Sequence, residues 1–328
     1  MRILSRSDVE RALTMLEAID IVADAFAQLS NSEAVVPLRV PIHMHRHNAT
    51  TLFMPAYLSR TDALAVKIVS VHNDNPAQGL PLIHAVVVVI DAATGKPLAL
   101  MDGSYLTALR TGAVSGAATR VLAREDAAVA AIFGAGAQGR TQLLGVAAVR
   151  QLQRAYIYDA IPQNVDKYIQ EMRGKPGVPA DLRAAASPQE AVSAADIICT
   201  ATTSTTPVYH GEDVRSGTHV NGVGAYTPQM QENDEVLLQR ASMIVVDSYG
   251  AALAEAGDLL IAIERGVIQE ADIYGELGEI TGGKKPGRER PEEITFFKSV
   301  GSAVQDASIA HAILQRAEGL SLGTVLDL

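Results

Sequence analysis

The sequence predicts an α/β protein in which a Rossmann-type, doubly wound parallel sheet is joined to a second, α+β domain with antiparallel strands. Three patterns predict this fold. Between residues 35 and 90, short β-branched runs are separated by proline, asparagine and glycine, as in antiparallel strands. Residues 127–133 form a continuous apolar run, which is typical of a strand buried on both faces. Apolar strands and helices then alternate as far as residue 246, which is the pattern of a doubly wound sheet.

The first predicted domain covers residues 1–122. Apolar residues at helical spacing predict a helix over residues 7–29 and, after a turn, a second helix over residues 104–122. We expect the C-terminal segment, about residues 303–328, to join this domain through a helix at about residues 303–318. The strands predicted between the first two helices are residues 40–42, 50–54, 63–71, 85–90 and 98–101.

The second predicted domain covers residues 123–302. Its first strand leads into three closely spaced glycines and then into a helix at about residues 140–149. Further helices are predicted at residues 164–173 and 188–193. The strands predicted here are residues 127–133, 154–158, 197–200, 219–223 and 242–246.

The composition excludes several classes of protein. Apolar residues make up 48% and charged residues 20% of the 328, as in an ordinary globular protein of about two domains. The most strongly apolar run, residues 85–90, and the continuous apolar run of residues 127–133 are both far shorter than the roughly 20 residues that span a bilayer. The N-terminal residues do not resemble a signal peptide. We therefore expect no membrane association.

The charge distribution indicates which partners are disfavoured, and the cysteine content indicates the cellular compartment. The net charge of −10 lies entirely in residues 123–328, because the first 122 residues carry equal numbers of acidic and basic side chains. An acidic surface disfavours nucleic acid, whose binding depends on lysine and arginine. The single cysteine, Cys199, excludes an intramolecular disulfide and favours a reducing compartment, so we expect a cytoplasmic protein.

Gly134, Gly136 and Gly139 predict a dinucleotide-binding turn. They follow an apolar strand and open a helix, and Asp159 ends the next strand about 20 residues later, as such sites require. Asp159 can accept hydrogen bonds from the ribose 2′-hydroxyl and would repel a 2′-phosphate, which favours NAD over NADP. The alternative is a glycine turn in an unrelated α/β domain. The cofactor-binding candidates are Gly134, Ala135, Gly136, Ala137, Gln138, Gly139 and Asp159, with Thr200 and Val223 at the ends of later strands.

Three isolated cations, Arg39, Lys67 and Arg110, predict a carboxylate-binding site in the first domain. Lys67 lies in an alternating strand and Arg110 in a helix with little other charge. A charge in apolar surroundings is costly without an anionic partner, and several cations around one pocket would bind an α-carboxylate. Structural ion pairing with Asp102 or Asp62 explains the pattern equally well.

We predict no metal site. His43, His45 and His47 would share one strand face, but no carboxylate or cysteine is spaced to complete a zinc site. Cys199 lies in an apolar strand and is expected to be a small buried residue. The sequence contains no Gly-x-Ser-x-Gly motif, so serine-hydrolase chemistry has no nucleophile elbow.

Several motifs resemble the ornithine cyclodeaminase/mu-crystallin family, which includes archaeal-type alanine dehydrogenases and ketimine reductases. The most characteristic is Leu-Thr-Ala-Leu-Arg-Thr-Gly at residues 106–112. The matching stretches occur in the family's order over nearly the whole chain. They are residues 54–57, 66–67, 75–81, 101–112, 134–136, 222–225 and 297–301.

The resemblance implies a homodimer formed through the sheet of the first domain, which is then a substrate-binding and dimerisation domain. It implies that the C-terminal helix returns to this domain. It also implies that Arg39, Lys67 and Arg110 bind the substrate carboxylate, and that the stretch from residue 298 lies near the nicotinamide. The cofactor contacts implied in that stretch are Lys298, Ser299 and Gly301.

One stretch departs from the family pattern. Cyclodeaminases of the family carry an aspartate and a lysine in a Gly-(Ala/Gly)-Asp-x-Pro-Gly-Lys stretch, where this chain has Tyr226 and Met230. A tyrosine, with a pKa of about 10, is a poor base at neutral pH but can donate a proton. The departure argues against ornithine cyclisation and makes Tyr226 a candidate catalytic residue.

The sequence therefore predicts an NAD(P)-dependent oxidoreductase that transfers a hydride between the nicotinamide and the Cα of a small α-amino or α-imino acid. Arg39 and Arg110 would hold the carboxylate, while Lys67, desolvated beside Arg110, or Tyr226 would act as acid or base. Two alternatives stay open. One is a cyclodeaminase-type lyase that uses bound NAD catalytically, and the other is a non-catalytic protein that binds a dinucleotide or another small ligand.

Overall fold

The structure is a computed structural model that describes residues 1–327, and the chain forms two compact units. The first unit comprises Met1–Arg110 and the residues from Ser302 onward. The second comprises Thr111–Gly301. The division falls inside a helix, after Arg110, whereas the sequence analysis places it after residue 122.

The helices and strands alternate as follows. The first unit opens with β1 (Arg2–Leu4), α1 (Arg6–Ala12), α2 (Met15–Ser30), β2 (Ala34–Val35), β3 (Val40–Met44), β4 (Ala49–Leu58), β5 (Ala63–His72), β6 (Ile83–Asp91), β7 (Pro97–Asp102) and α3 (Gly103–Leu122). The second unit adds β8 (Val129–Phe133), α4 (Ala137–Val149), β9 (Arg154–Tyr158), α5 (Pro162–Met172), β10 (Asp181–Ala184), α6 (Pro188–Ala194), β11 (Ile197–Thr200), β12 (His219–Gly222), α7 (Glu235–Arg240), β13 (Met243–Val246), α8 (Tyr249–Glu255), α9 (Gly257–Glu264), β14 (Ile273–Glu276), α10 (Leu277–Thr281) and β15 (Thr295–Lys298). The chain then returns to the first unit with α11 (Ala303–Gly319) and β16 (Thr324–Val325). No helix within residues 1–327 is both long and apolar enough to cross a membrane.

The first unit contains one eight-stranded, mostly antiparallel sheet. Its strand order is β16-β1-β7-β6-β5-β4-β2, and β3 also pairs with β4. Only β1 and β7 pair in parallel among the described strands of this sheet. Helix α11 packs against β4, β5 and α2. The long strand β5 therefore lies under the helix that ends the chain, and side chains from the two elements can meet.

The second unit contains an eight-stranded sheet that is parallel throughout. Its strand order is β10-β9-β8-β11-β12-β15-β13-β14. The order reverses at β8, because the chain first builds outward to β9 and β10 and then returns to place β11 on the other side. Ligands of doubly wound sheets bind outside the carboxyl ends of the strands at such a reversal. The predicted Rossmann-type fold is confirmed.

Both faces of this parallel sheet are covered, and β8 shows how. Phe133 packs in a buried cluster with Val192 of α6, on one face. Its neighbour Ile132 packs in a second cluster with Leu143 of α4, on the other face. Successive side chains of a strand point to opposite faces, so a strand covered on both must be apolar at every position. This is the physical origin of the continuous apolar run.

The helix predicted over residues 7–29 is interrupted in the structure. Leu13 has extended dihedral angles (φ −136°, ψ 139°) and ends α1. Thr14 starts α2 with a capping box, in which Glu17 N donates to Thr14 Oγ1 at 3.3 Å and Thr14 N donates to Glu17 Oε2 at 2.9 Å. These bonds satisfy amides that a new helix start leaves free, so the apolar periodicity continues across two helices.

The unit boundary inside α3 also has a local cause. A Cβ on Gly112 would lie 2.3 Å from Thr141 O, and a Cβ on Gly145 would lie 2.1 Å from Gly112 O. Helices α3 and α4 therefore touch backbone to backbone at this point, which only glycine allows. The second half of α3 is packed into the second unit for this reason.

Candidate active site

The glycine turn between β8 and α4 leaves open space at one of its three glycines. Gly134 has a positive φ of +98°, and a Cβ on it would lie 2.6 Å from Ala201 O. A Cβ on Gly139 would lie 1.9 Å from Gly134 O. Beyond its chain neighbours, no described atom lies within 4 Å of the Cβ position of Gly136. The protein's own packing requires Gly134 and Gly139, whereas Gly136 leaves the open approach that a pyrophosphate needs.

Helix α4 presents its first amides beside this open space. Gly136 is the N-cap, no described side chain caps the helix, and Ala137 and Gln138 are its first two residues. Arg140 donates Nη1 to the carbonyl oxygens of Ala135 (2.5 Å) and Gly136 (2.8 Å). Uncapped amides at a helix N-terminus attract anions, so the turn fits the phosphates of a dinucleotide.

Asp159 lies directly after β9 and is fixed against the glycine turn. Its Oδ2 accepts a hydrogen bond from Ala135 N at 2.8 Å. Its Oδ1 accepts from Ile161 N at 2.9 Å and from Asn164 Nδ2 at 3.3 Å. The structure thus brings together the acidic residue and the turn that sequence spacing predicted. A carboxylate held here can accept hydrogen bonds from the hydroxyl groups of an adenosine ribose.

Thr200 and Val223 lie at the same edge of the sheet as the glycine turn. The register pairs Thr200 with Phe133 of β8 and with Gly222 of β12, and Val223 N donates to Thr200 O at 3.0 Å. The Thr200 hydroxyl is buried and donates to Glu232 Oε2 at 3.1 Å. Both residues therefore help to form the edge where ligands of this fold bind.

The stretch that begins with Lys298 is held by two buried carboxylates that the sequence analysis missed. Lys298 is fully buried, and its Nζ donates to Asp258 Oδ2 at 2.8 Å. Ser299 Oγ and Gly301 N both donate to Asp247 Oδ2, at 2.7 and 2.9 Å. The ammonium of Lys298 is therefore paired inside the second unit, and Asp247 fixes the turn that follows Lys298.

In the first unit, Lys67 and Arg110 meet at one buried carboxylate. Lys67 Nζ on β5 lies 2.8 Å from Asp306 Oδ2 on α11. Arg110 Nε on α3 lies 3.2 Å from Asp306 Oδ1. Arg110 Nη1 also donates to Gln305 Oε1 at 2.8 Å. The side chains of Lys67 and Asp306 are each 1% exposed and that of Arg110 is 8% exposed, so the charges interact in a low-dielectric environment.

The environment of Lys67 moves its ionisation toward neutrality. Burial is the main cause that lowers the pKa of Lys67, to about 8, and the charges of Arg110 and Arg39 lower it further. Asp306 acts in the opposite direction. The strand neighbours that pair with Lys67, Met54 and Val87, carry no charge. An amine with this pKa can gain or lose a proton near neutral pH.

The cluster keeps a net positive charge after its internal pairing. Lys67 and Arg110 share the single charge of Asp306, and half-buried Arg39 contributes a third cation to the field at Lys67. Such a site favours one more anion, and a guanidinium can hold a carboxylate with two hydrogen bonds.

Structural ion pairing, the alternative explanation for these cations, does occur at Lys67 and Arg110, but their partner is neither Asp102 nor Asp62. Asp102 Oδ1 accepts from Tyr105 N at 2.8 Å, at the start of α3. Asp62 Oδ1 accepts from the Tyr57 hydroxyl at 2.9 Å. The anionic partner is instead Asp306. Its signal in the sequence is a carboxylate on the apolar face of the last helix, where it is costly without a partner.

Tyr226 lies in the second unit, in the segment that follows β12. It is half-buried and packs against the apolar cluster around Phe133 and Val192. Met230, which stands where the cyclodeaminase pattern has lysine, is 8% exposed. Both residues therefore have a large part of their apolar surface buried in the protein.

The three closely spaced histidines, His43, His45 and His47, are divided between two elements. His43 lies on β3, whereas His45 and His47 belong to a 3-10 helix that follows it. The rings of His43 and His45 are 6.0 Å apart and nearly parallel. Within residues 1–327, no group of three or more His, Cys, Asp or Glu side chains is arranged to hold a metal ion.

The comparison with known families agrees with this geometry. The sequence model of the ornithine cyclodeaminase/mu-crystallin family matches residues 1–321. The chain belongs to this family. The motifs on which the resemblance was based include Lys67, Arg110 and the glycine turn, which are the parts of the candidate site just described.

Two relatives in the ornithine cyclodeaminase/mu-crystallin family are named for the reduction of a cyclic imino acid. A Δ1-pyrroline-2-carboxylate reductase of Bacillus cereus (strain ZK / E33L) is 38% identical over 327 residues, which is 100% of both chains. The structure of Thermococcus litoralis Δ1-pyrroline-2-carboxylate reductase in complex with NADH and L-proline is 44% identical, with a TM-score of 0.96 over 99% of this chain and 100% of that chain.

A third relative acts on a linear amino acid. The structure of an archaeal alanine dehydrogenase dimer with bound NAD is 34% identical, with a TM-score of 0.91 over 100% of this chain and 99% of that chain. Together these relatives support a nicotinamide-dependent oxidoreductase of the CH–NH or C=N class, as the sequence predicted.

Proposed function

We propose that this protein is an NAD-dependent reductase of small cyclic α-imino acids and, in reverse, a dehydrogenase of the corresponding cyclic amino acids. The observation that carries the proposal is the buried cluster of Lys67, Arg110 and Asp306 in a chain whose second unit has the glycine turn of a dinucleotide-binding fold. The cluster supplies what an α-imino acid requires, namely a carboxylate clamp and a proton near the imine nitrogen.

The clamp follows from the charges. Arg110 is held by Gln305 and Asp306, so its guanidinium cannot change orientation freely when a ligand arrives. Arg39 is only half-buried and supplies a second cation. A substrate whose carboxylate is held by fixed cations has its Cα held as well, and orientation of this kind contributes several kcal/mol to catalysis.

Lys67 is the proposed proton donor for imine reduction. Its pKa of about 8, lowered by burial, leaves it mostly protonated at neutral pH but able to release the proton. Asp306 holds Nζ in one place. Tyr226 remains the alternative donor, since a tyrosine hydroxyl can also deliver a proton.

The dinucleotide, when bound, supplies or accepts the hydride at its nicotinamide ring. The residues proposed to hold it are the first amides of α4, the open space at Gly136, and Asp159. Because Asp159 is anionic and fixed beside Ala135, we propose that NAD is preferred to NADP.

A cyclic substrate is favoured over a linear one by the relatives of Bacillus cereus and Thermococcus litoralis. They are named for Δ1-pyrroline-2-carboxylate reduction, and they match the chain over essentially its full length. The lyase alternative lacks its pattern residues, since Tyr226 and Met230 replace the aspartate and the lysine. The retained charges at Lys67 and Arg110 argue against a protein that only binds a dinucleotide.

We also propose that the protein is a cytoplasmic homodimer that pairs through the first unit. Several large apolar side chains on β2, β3 and the segment between them are exposed, which a monomer would leave in water. They are Val35 (62%), Leu38 (69%), Val40 (56%) and Ile42 (51%). The homodimer is tested by light scattering, which measures the molar mass in solution of the wild-type protein and of the Ile42→Glu variant.

The test of the function is a cofactor assay with three substrates. NADH oxidation with Δ1-pyrroline-2-carboxylate is expected to exceed that with pyruvate plus ammonia, as followed by the absorbance of NADH. If ornithine instead gives proline and ammonia without net change in the cofactor, the lyase is correct. If none of the substrates reacts while NADH still binds, the protein is a binding module.

A further inference from the structure

We propose that Glu232 is a positioning residue for the cofactor, because its carboxylate fixes the loops after β11 and β12 at the edge where the dinucleotide binds. This inference rests on cofactor binding by the second unit, as proposed above, and is independent of which acid is reduced. Glu232 lies between Met230 and α7 and belongs to none of the cofactor-binding candidates that the sequence suggested.

Four hydrogen bonds converge on this one carboxylate. Thr202 N donates to Oε1 at 2.5 Å. Gly224 N and Ala225 N donate to Oε2 at 2.7 and 3.0 Å, and the Thr200 hydroxyl donates to the same oxygen at 3.1 Å. Glu232 is fully buried. A carboxylate that accepts several amide hydrogen bonds away from water is held firmly and holds its donors in turn.

The donors lie directly beside the glycine turn. The Cβ position of Gly134 is 2.6 Å from Ala201 O and 3.2 Å from Thr202 Cγ2. The Cβ position of Gly224 is 2.4 Å from Thr202 O and 2.3 Å from Glu232 Oε1. The loop after β11 therefore packs against the turn on one side and against Gly224 on the other, without room for adjustment. A shift of this loop must displace the glycine turn.

The backbone of Glu232 is itself held by a buried ion pair. Its backbone N donates to Asp258 Oδ1 at 2.7 Å, and Asp258 Oδ2 accepts from Lys298 Nζ at 2.8 Å. Burial raises the pKa of Glu232, and the charge of Lys298 counteracts this effect. The buried ammonium of Lys298 therefore opposes the effect of burial on Glu232, and its hydrogen bond to Asp258 links the loops to β15.

The same unit contains a carboxylate of the same kind at its opposite edge, which provides a matched control. Asp196 Oδ2 accepts from Ala128 N and Val129 N, both at 3.0 Å, at the amino ends of β8 and β11. Asp196 is 8% exposed and pairs with Arg124 at 2.8 Å. Replacement of Asp196 removes comparable hydrogen bonds, but at the amino ends of the strands and therefore away from the edge where the dinucleotide is proposed to bind.

The experiment compares Glu232→Gln with Asp196→Asn by thermal unfolding and by fluorescence titration with NADH alone. Glutamine has the shape of glutamate, but an NH2 group, which donates hydrogen bonds, replaces one of the two accepting oxygens. At least one backbone N–H that bonds to Glu232 therefore loses its acceptor. We expect both variants to unfold at lower temperature. Only Glu232→Gln is expected to raise the Kd for NADH, by about tenfold or more.

Two results would overturn the proposal. One is a Kd for NADH within twofold of wild type in folded Glu232→Gln. The other is an equal rise in Asp196→Asn, which would make the effect one of general stability. If Glu232→Gln does not fold, Glu232→Asp keeps the charge but shortens the reach, and its Kd must rise by at least threefold. Because no substrate is added, failure of the imine reductase assay leaves this test intact.

Discussion

Lys67 Nζ lies 2.8 Å from Asp306 Oδ2, and each of these side chains is 1% exposed. A buried ion pair holds both charges in place, because loss of one partner leaves the other unpaired in a low-dielectric environment. Arg110 reaches the second oxygen of the same carboxylate at 3.2 Å. One acidic residue on the last helix therefore pairs with two cations, one from a strand and one from a helix, and leaves the surplus positive charge that the proposed function assigns to a substrate carboxylate.

Replacement of the central lysine should separate catalysis from cofactor binding. In Lys67→Met, the substrate loses a cation and the proposed proton donor. We expect kcat/KM for imine reduction to fall by roughly a hundredfold or more, which is the usual contribution of a general acid. The Kd for NADH, measured by fluorescence, should change by less than about twofold, since the residues proposed to hold the dinucleotide are in the second unit.

Lys285→Met is the matched control for this variant. Lys285 lies in the second unit and pairs with Glu279 at 3.0 Å, so its loss removes a lysine and an ion pair without touching the charge cluster. Its kcat/KM should stay near that of wild type. Full activity in Lys67→Met would remove Lys67 from the mechanism and leave Tyr226 as the donor.

The pH dependence of the reaction should follow the pKa of Lys67, which burial lowers to about 8. Imine reduction needs the protonated amine, so kcat/KM should decline as pH rises through about 8. Amino acid oxidation needs the free amine, so its kcat/KM should increase over the same range. Profiles of both directions between about pH 6 and pH 10 test the opposite signs.

Asp306→Asn should shift both pH profiles. The carboxylate of Asp306 raises the pKa of Lys67, so its neutralisation should move the inflection of each profile to lower pH. The direction is specific, because a purely structural defect would scale the rates without moving the inflection. An unchanged inflection in a folded variant would show that Lys67 does not govern the profile.

The two-domain fold could be predicted from sequence because each sheet leaves a local pattern. The run that became β8 is apolar at every position, and the strands of the first unit alternate. The edge strand β10 (Asp181–Ala184) was missed, because only Leu182 of its four residues is buried. Edge strands need few apolar contacts, so their sequences resemble those of loops.

The candidate site was only half predictable for a different reason. Lys67 and Arg110 were found because charges in apolar segments are unusual. Asp306 and Glu232 were not found, because their partners lie on other elements and the pairing exists only after the chain has folded. Sequence spacing reveals neighbours within one helix or strand, but a buried carboxylate that joins several elements has no such spacing.

Cofactor preference should depend on Asp159. In Asp159→Ser, the negative charge next to Ala135 N disappears and a 2′-phosphate is no longer repelled. We expect the ratio of kcat/KM for NADPH to that for NADH to rise by at least about tenfold. Asp181→Asn, which removes an acid at the start of β10 where Arg154 and Arg183 pair with it, should leave this ratio unchanged. A constant ratio in Asp159→Ser would mean that another residue reads the ribose.

Substitutions at two of the three glycines of the turn, Gly136 and Gly139, should give different phenotypes. A Cβ at Gly139 would lie 1.9 Å from Gly134 O, so Gly139→Ala must displace the turn and should lower the melting temperature by roughly 5–10 °C. Gly136 has a φ of −82°, which alanine adopts without strain, and open space at its Cβ position. Gly136→Ala should therefore melt within about 2 °C of wild type and yet bind NADH at least about tenfold more weakly, because its methyl group occupies the place of the pyrophosphate. Unfolding scans and NADH titrations of the two variants measure both quantities, and unaltered NADH affinity in Gly136→Ala would place the dinucleotide elsewhere.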